Sequence, residues 1–198
     1  MKDIITKKEL EEIINKLENG IDKFIIAGFY YGLNGASGYK EQLLNLKADC
    51  VDFEKETINL PDGRIVKMDK LLKQVTKEAI EQKIYIKMGS QGRTNEDYIL
   101  NSSSPYIIKS KPTKRNNNGI MPLKEVSIGC RIMAISNYTG KKISPSLLKI
   151  SGVYEVLKNK NKHWSISKAE EFLKENNMSI RKNNLIPILR ELNANLEK

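Results

Sequence analysis

Few residues of this chain have the type and spacing that chemistry requires. His163 is the only histidine, and no cluster of cysteines or carboxylates surrounds it in the sequence. It therefore has no partners for metal binding or for activating a nucleophile. Cys50 and Cys130 lack the CxxC spacing of zinc and redox sites, and we expect both to be reduced core residues. We predict that the chain binds no metal and no cofactor.

Charge gives the first indication of a partner. Lysine and arginine number 34 against 24 aspartate and glutamate, for a formal net charge of +10. Such a balance favours a polyanion, because lysine and arginine release counterions when they neutralise phosphates. An AT-rich genome produces a similar composition, so charge alone does not decide. The longest apolar stretch, residues 24–31, is too short to span a bilayer, and we expect a cytoplasmic protein with no membrane partner.

The basic residues that are candidates for DNA contacts lie in two segments. The first is the asparagine-rich stretch 109–119, which we interpret as a loop that contacts phosphates; the alternative is a solvated surface loop. The second surrounds Ser144 and Pro145, a pair typical of a helix start, where backbone amides suit a phosphate. The candidate contacts in these segments are Lys109, Lys111, Lys114, Arg115, Asn116, Lys141, Lys142 and Lys149.

The elements that must position these residues begin as helices. A capping box at Thr6 and Glu9 starts the first helix, which is predicted to stop at Gly20. An almost wholly apolar helix follows over about 22–33, and its lack of a polar face predicts a central place in the core. Ser37 is predicted to cap a third helix.

The hydrophobic period then changes to that of strands. Residues 57–60 and 64–68 predict a β-hairpin around a Pro-Asp-Gly turn. Asp69 is predicted to cap another helix. A polar loop over 89–104 and a short strand at 105–108 are predicted after it.

Four further helices are predicted to complete the chain. They cover about 122–138, about 145–160, a segment opened by Ser167, and about 185–196, where Pro187 starts or kinks the helix. The whole chain, 1–198, is therefore predicted to be a single α+β domain, mainly α with a small β-hairpin.

Three short motifs follow one another in the order of the boxes of the tyrosine recombinases, the phage integrase family. Tyr30-Tyr31-Gly32-Leu33-Asn34 resembles the first box, threonine-glycine-leucine-arginine. Ser144-Pro145-Ser146-Leu147-Leu148-Lys149 resembles the second, in which proline precedes histidine, two residues and arginine. Residues 172–175 lie where the third box, leucine-glycine-histidine, belongs. Together with the hairpin, these motifs resemble the catalytic domain of that family over about residues 6–196.

Two more stretches resemble a narrower group, the MrpR-type integrase-like phage proteins. They are residues 112–124 and residues 162–177. The resemblance implies an integrase fold without recombination chemistry, in a protein that binds phage or prophage DNA in the host nucleoid and represses lytic genes. Because the chain begins directly with the catalytic-type domain, we expect it to lack the N-terminal core-binding domain of that family.

Strand transfer in the integrase family needs a tyrosine nucleophile, cations that clamp the phosphate, and a proton donor. At the two arginine positions this chain has Asn34 and Lys149, and at the two histidine positions it has Ser146 and Glu175. The resemblance places the nucleophile shortly after the third box, near Asn184, but no tyrosine follows Tyr154. We therefore predict that the chain has no catalytic residues and is not an enzyme.

The hairpin retains two cations that match the family's catalytic lysine in place. Arg64 and Lys67 are thus candidate phosphate contacts, and solvated strand charges are the alternative. The full set of predicted contacts with double-stranded DNA is Asn34, Arg64, Lys67, Lys109, Lys111, Lys114, Arg115, Asn116, Lys141, Lys142, Ser146 and Lys149.

Two other functions stay open at this point. One is a truncated protein-interaction module, whose C-terminal segment 176–198 docks on a second copy or on a full-length relative. Its docking residues would be Leu185, Ile186, Ile188, Leu189 and Leu192. The other is an active recombinase, which predicts a covalent adduct between the protein and DNA.

Overall fold

The computed structural model describes residues 4–34, 40–87, 97–176 and 178–196, and over these ranges the chain is mainly helical with two small antiparallel sheets. The helices are α1 (Lys7–Lys16), α2 (Gly20–Tyr30), α3 (Lys40–Leu44), α4 (Lys70–Glu81), α5 (Glu125–Thr139), α6 (Pro145–Lys158), α7 (Ile166–Glu175) and α8 (Lys182–Leu196). The strands are β1 (Val51–Asp52), β2 (Thr57–Asn59), β3 (Ile65–Lys67), β4 (Ile84–Tyr85) and β5 (Tyr98–Ile99). The predicted mainly α fold with a small β element is confirmed.

The first two helices confirm the predicted capping and burial but change the role of one glycine. Thr6 and Glu9 form the expected reciprocal capping box of α1. α2 is buried along most of its length, as its apolar sequence predicted. Gly20 was predicted as the stop of α1, but it is the first residue of α2. A Cβ there would lie 2.5 Å from a backbone carbon of Glu78, so this glycine permits close packing of α2 on α4.

The predicted hairpin is confirmed and is extended by a strand that was not predicted. β2 and β3 pair antiparallel, with Ile58 opposite Val66. β1 adds to the other side of β2, with Val51 opposite Ile58. Ile58 is fully buried, so one face of this sheet packs on the core.

The second sheet corrects two predictions. β5 lies inside the predicted loop 89–104 and pairs with β4, with Tyr85 opposite Tyr98. The predicted strand at 105–108 is a single bridge between Tyr106 and Lys47. Residues 107 and 108 are both isoleucines that are fully buried, so the apolar run that predicted a strand reflects burial of a loop.

α6 connects two parts of the core. Leu148 near its start belongs to one cluster of buried residues, and Val153 and Leu157 belong to the other. Gly152 lies between them, where a Cβ would be 1.8 Å from the carbonyl oxygen of Tyr30. Backbone contact between α6 and the end of α2 therefore depends on glycine at this position.

The last two helices cover the second cluster. α7 is capped by Ser165, two residues before the predicted Ser167. α8 begins before Pro187 and runs through it. The other predicted helix cap, Ser37, lies outside the described residues. None of the helices in the described ranges combines the length and apolar character that crossing a bilayer requires.

Candidate functional site

The first box forms the C-terminal end of α2. Gly32 adopts φ +74°, a conformation that glycine reaches without strain, and the amide of Leu33 donates back to the carbonyl of Gly28 at 2.8 Å. This turn brings Asn34 into the interior, where it is only 3% exposed. Among the described residues, no donor reaches its side-chain oxygen Oδ1. The first-box position thus holds a buried acceptor in place of a cation.

Arg64 brings a positive charge to this position from the hairpin. It follows the turn between β2 and β3, and its Nη1 donates to the carbonyl of Gly32 at 3.3 Å. Asp62 fixes the guanidinium, since its Oδ2 accepts from Arg64 Nε at 2.8 Å. The predicted hairpin cation therefore lies against the first box.

Lys149 brings a second charge from the second turn of α6. Ser144 caps this helix by accepting from the amide of Leu147 at 3.1 Å, and Pro145 is its first residue, as predicted. Lys149 is half-buried, and burial lowers the pKa of its ammonium. The positive charges of Arg64 and Arg181 lower that pKa further.

Arg181 is the functional candidate that the sequence analysis missed. It precedes α8, and its carbonyl accepts from the amide of Asn184 at 2.8 Å. Its side chain is exposed, and its charge acts on Lys149. A signal was available, because Arg181 lies three residues before Asn184, near which the nucleophile of an integrase belongs. We call Arg64, Lys149 and Arg181 the cation cluster.

Other predicted DNA contacts lie near the cation cluster and differ in their neighbours. Ser146 is exposed on the first turn of α6, and Lys142 is exposed just before that helix. Lys67 lines a cleft of about 460 Å³ together with Glu175, the residue at the third-box position. An acidic side chain therefore borders this side of the site.

Lys141 is exposed but already has an anionic partner. Its Nζ lies 3.3 Å from Oε1 of Glu9, the residue that completes the capping box of α1. Both side chains are solvated, so the pair is weak. A phosphate would compete with Glu9 for this ammonium.

Lys109 is placed differently from the predicted basic loop. It is 6% exposed, and its Nζ donates to the carbonyls of Ile80 and Gln82 at the end of α4. Burial lowers its pKa. Lys109 thus satisfies the last carbonyls of a helix, and we leave it out of the DNA contacts that we propose.

The rest of the basic loop is an ordered turn organised by Asn116. Its Oδ1 accepts from the amides of Thr113 and Gly119, at 2.8 Å and 3.0 Å. Its Nδ2 donates to the carbonyl of Lys111 at 2.7 Å and to Ser110 Oγ at 3.0 Å. The amide of Asn116 is therefore occupied in holding the turn, contrary to its predicted role at phosphates or bases. We call residues 113–119 the asparagine turn.

Two asparagines follow in left-handed conformation. Asn117 and Asn118 have φ values of 50° and 51°, which asparagine tolerates better than most residues. This geometry leaves Lys114, Arg115 and both asparagines exposed on the turn. The repeated asparagine is thus explained by the backbone that the turn requires.

α3 connects the asparagine turn with the cation cluster. Gln42 lies beside the hairpin, where its Nε2 donates to Asp62 at 3.1 Å and its Oε1 accepts from Arg64 at 3.5 Å. Two residues further on, Leu44 and Asn45 line a groove of about 560 Å³ with Arg115. Lys111 and Lys124 line the same groove. The cations of the loop and of the hairpin therefore lie on either side of one short helix.

Tyrosine hydroxyls at the end of α2 are unsuited to nucleophilic attack. Burial raises the pKa of Tyr30 and of Tyr31. Tyr31 also donates to Asp69 at 2.6 Å, which raises its pKa further. Both hydroxyls are thus held in the protonated form. Asn184, near the expected place of the nucleophile, is half-buried at the start of α8.

The other residues that could act as nucleophiles or metal ligands do not lie together. His163 is exposed, and its neighbour Trp164 is buried against Leu157 as a core anchor. Cys130 is exposed on α5, so its prediction as a core residue is wrong. In the part of the chain that the structure describes, no three histidines, cysteines or carboxylates converge as a metal site would require.

The C-terminal helix is already packed on its own chain. Leu185, Ile188, Leu189 and Leu192 of α8 are buried in the second core cluster with residues of α6 and α7. Ile186 alone of the predicted docking residues is only partly buried. The face that was predicted to dock on a neighbour is therefore occupied in cis.

The fold and the order of the three boxes define an integrase-like protein of the tyrosine-recombinase fold. A solved structure described as the crystal structure of XerA recombinase matches with a TM-score of 0.57 and 17% sequence identity. The match covers 96% of this chain and 65% of that one, so this chain spans about two thirds of the recombinase's length. A comparison with curated proteins gives no match.

The particular family follows from the sequence. A family model described as "MrpR, C-terminal catalytic domain" matches residues 4–193. The chain belongs to this family, as its resemblance predicted.

Proposed function

We propose that this protein binds duplex DNA without cutting it and represses lytic genes of a phage or prophage. The observation that carries the proposal is the cation cluster: Arg64 contacts the first box, Lys149 belongs to the second, and the charges of Arg64 and Arg181 both act on Lys149. Three chain segments supply its members: the hairpin, α6 and the residue before α8. Cations remain at this place although the residues for strand transfer do not.

The cluster is suited to an anion for an electrostatic reason. Burial lowers the pKa of Lys149, and repulsion from the positive charges of Arg64 and Arg181 lowers it further, so an ammonium here is destabilised in the free protein. A phosphate between them reverses this repulsion and also releases counterions from the DNA. Asp62 orients Arg64 through its Nε, so that Nη1 reaches the first box at Gly32 and Nη2 reaches Gln42.

The same residues do not support strand transfer. A phosphodiester attack needs a tyrosine that loses its proton and a donor for the leaving oxygen. The hydroxyls of Tyr30 and Tyr31 hold their protons tightly, and Glu175 carries a negative charge at a position that requires a proton donor. Lys149 holds a phosphate as a point charge, whereas arginine binds it through two parallel bonds.

The proposed DNA contacts divide into two groups on either side of α3. The first comprises the cation cluster with Lys67, Lys142 and Ser146, where a backbone phosphate would lie. Asn34 was predicted to belong to this group, but it is only 3% exposed and is left out, as Lys109 is. The second comprises Lys111, Lys114 and Arg115 around the asparagine turn. Lys141 contributes when it releases Glu9.

Fluorescence anisotropy tests the binding with labelled duplexes from the neighbouring phage genome and scrambled duplexes, at several salt concentrations. We expect affinity to fall steeply with salt, as for a protein that neutralises on the order of six phosphates. Arg181→Ala and Lys149→Ala should each weaken binding to every sequence and reduce the salt slope by about 1. Lys77→Ala is the control, because Lys77 is an exposed lysine on α4. No binding to either duplex at low salt would contradict the proposal.

A nicked suicide substrate tests the absence of chemistry. We expect no covalent adduct on a denaturing gel with the wild-type protein, because Tyr30 and Tyr31, the tyrosines at the first box, hold their protons tightly. An adduct would identify the protein as a recombinase. Repression is tested separately, by placing a bound fragment upstream of a reporter gene.

A further inference from the structure

The cleft beside the third-box position carries two carboxylates that no cation neutralises. Its volume of about 460 Å³ is typical of sites for small molecules, and both Glu155 and Glu175 line it. Glu155 is half-buried on α6, and Glu175 is exposed at the end of α7. Within the described ranges, neither carboxylate takes part in an ion pair. We call this space the carboxylate cleft.

One stripe of α6 forms a wall of the carboxylate cleft. Gly152, Glu155, Val156 and Asn159 all line it, and their spacing places them on the same face of the helix. Val156 and the buried Met178 add apolar surface. The cleft therefore offers contacts for a carbon chain as well as for a charge.

Tyr30 brings a buried hydroxyl without a partner to the same place. The side chain lines the cleft and is 4% exposed, and no described residue hydrogen-bonds its oxygen. Burial raises the pKa of Tyr30, and the negative charges of Glu155 and Asp69 raise it further. Both carboxylates line the cleft, so the hydroxyl lies near them. Buried hydroxyls normally have a partner, which a ligand in the cleft would supply here.

The third carboxylate of the cleft is already neutralised. Asp69 accepts through Oδ2 from Lys7 Nζ at 2.7 Å and from the Tyr31 hydroxyl at 2.6 Å. Its Oδ1 accepts from the amide of Leu72 at 2.9 Å. Among the described lining residues, Lys67 is the other cation. Two free carboxylates thus face one ammonium, and the cleft is negative in a chain whose net charge is +10.

We propose that the carboxylate cleft binds a small organic cation, whose ammonium or guanidinium group is held by Glu155 and Glu175. The N–H groups of such a ligand donate to the carboxylates and to the Tyr30 oxygen, and its carbon chain packs on Val156 and Met178. DNA is a poor occupant, because carboxylates repel phosphates. This site is independent of the proposed function, since no member of the cation cluster lines it.

Isothermal titration calorimetry with agmatine, without DNA, tests the proposal. Agmatine carries an ammonium and a guanidinium on one short carbon chain. At about 0.15 M ionic strength, where surface attraction is screened, we expect one ligand per chain. The dissociation constant should lie between about 10 µM and 1 mM, the range open to so small a ligand. Butane-1,4-diol, a neutral molecule with a similar chain, should not bind.

Carboxylate variants locate the bound cation. Glu155→Gln and Glu175→Gln should each weaken agmatine binding at least about fivefold, because each removes a charge and keeps the shape of the side chain. Glu170→Gln is the matched control and should stay within about twofold of the wild type. Glu170 is an exposed carboxylate on α7 that does not line the cleft. Circular dichroism of the variants checks that the fold is retained.

Tyr30→Phe separates ligand binding from stability. It removes a hydroxyl that has no partner in the described structure, so the melting temperature should stay the same or rise. Agmatine affinity should fall at least about threefold. No binding of agmatine by the wild-type protein would overturn the proposal, as would equal binding of butane-1,4-diol or an affinity unaffected by Glu155→Gln. Because DNA is absent, each of these failures leaves the DNA-binding proposal untouched.

Discussion

At the scale of single residues, one titratable group of the cation cluster has a distinctive property. Lys149 occupies the place of an arginine, and its pKa is lowered by burial and by the charges of Arg64 and Arg181. Bound phosphate favours the charged ammonium, so the pKa must rise when DNA binds. Linkage then makes DNA affinity fall as pH rises through the lowered pKa of the free protein.

This fall in DNA affinity with rising pH gives a prediction for Lys149→Arg. An arginine stays charged at every accessible pH, so the variant should lose most of the decline in affinity that the wild-type protein shows as pH rises from neutral toward the ordinary lysine pKa of about 10.4. Anisotropy at constant ionic strength measures both curves. Parallel curves for the two proteins would mean that Lys149 does not contact the phosphate. The folded protein itself should gain stability as Lys149 deprotonates, because its pKa is lower in the folded than in the unfolded chain.

Some residues of the candidate site could be predicted from the sequence, and others could not. The boxes identified Asn34 and Lys149 because these positions are defined by the motifs around them. Arg181 belongs to no motif, and only the folded chain shows that its charge reaches Lys149. Lys109 and Asn116 looked like DNA contacts because a basic, polar loop has the same composition whether its side chains face solvent or the backbone. Their hydrogen-bond partners decide the difference.

At the scale of elements, two glycines in neighbouring helices offer a matched test of packing. Gly152 of α6 has the carbonyl of Tyr30 where a Cβ would lie, whereas Gly129 of α5 has no atom within 4 Å. Gly152→Ala should therefore destabilise the protein by about 3 kcal/mol or more, because backbone must move. Gly129→Ala should stabilise it by about 0.5–1 kcal/mol, the helix preference of alanine over glycine.

Urea denaturation of the two variants checks this contrast. Gly152→Ala should also weaken DNA binding, since α6 carries Lys149. Equal stability of the two variants would show that α6 does not touch α2 as described.

The asparagine turn gives a second prediction at this scale. Asn116→Ala removes the hydrogen bonds that hold residues 113–119 together, so Lys114 and Arg115 lose their fixed positions. We expect DNA affinity to fall several-fold, with a loss of about 1–2 kcal/mol in the free energy of unfolding. Asn195→Ala on the exposed end of α8 is the control. Unchanged affinity would remove the turn from the interface.

Among the elements, helices and the hairpin were predictable and the second sheet was not. Capping residues and periodicity defined α1, α2, α6 and the hairpin, because these signals are local. β4 and β5 are two residues each, too short for alternation to be visible. Tyr85 and Tyr98 are held in this sheet by residues that are distant in sequence: Tyr85 donates to Asp22, and Arg131 donates to Tyr98.

At the scale of the whole molecule, the two groups of proposed DNA contacts lie on either side of α3. Because we propose that one duplex contacts both groups, the losses of affinity from Lys149→Ala and Arg115→Ala should add. We expect the double variant to reduce the salt slope by about 2, against about 1 for each single variant. Anisotropy titrations of the three variants at several salt concentrations measure these slopes. A double variant that binds no more weakly than Lys149→Ala would exclude the asparagine turn from the interface.

The asparagine turn also bears on how long the molecule stays chemically intact. Asn118-Gly119 is a sequence prone to deamidation, in which the glycine nitrogen attacks the asparagine side chain and leaves an acid. Here that nitrogen donates its hydrogen to Asn116 Oδ1 at 3.0 Å, and this bond holds it away from attack. The Asn116 side chain therefore slows the deamidation of Asn118. Without it, a new carboxylate would accumulate beside Lys114 and Arg115, and the protein would slowly lose its attraction for phosphates.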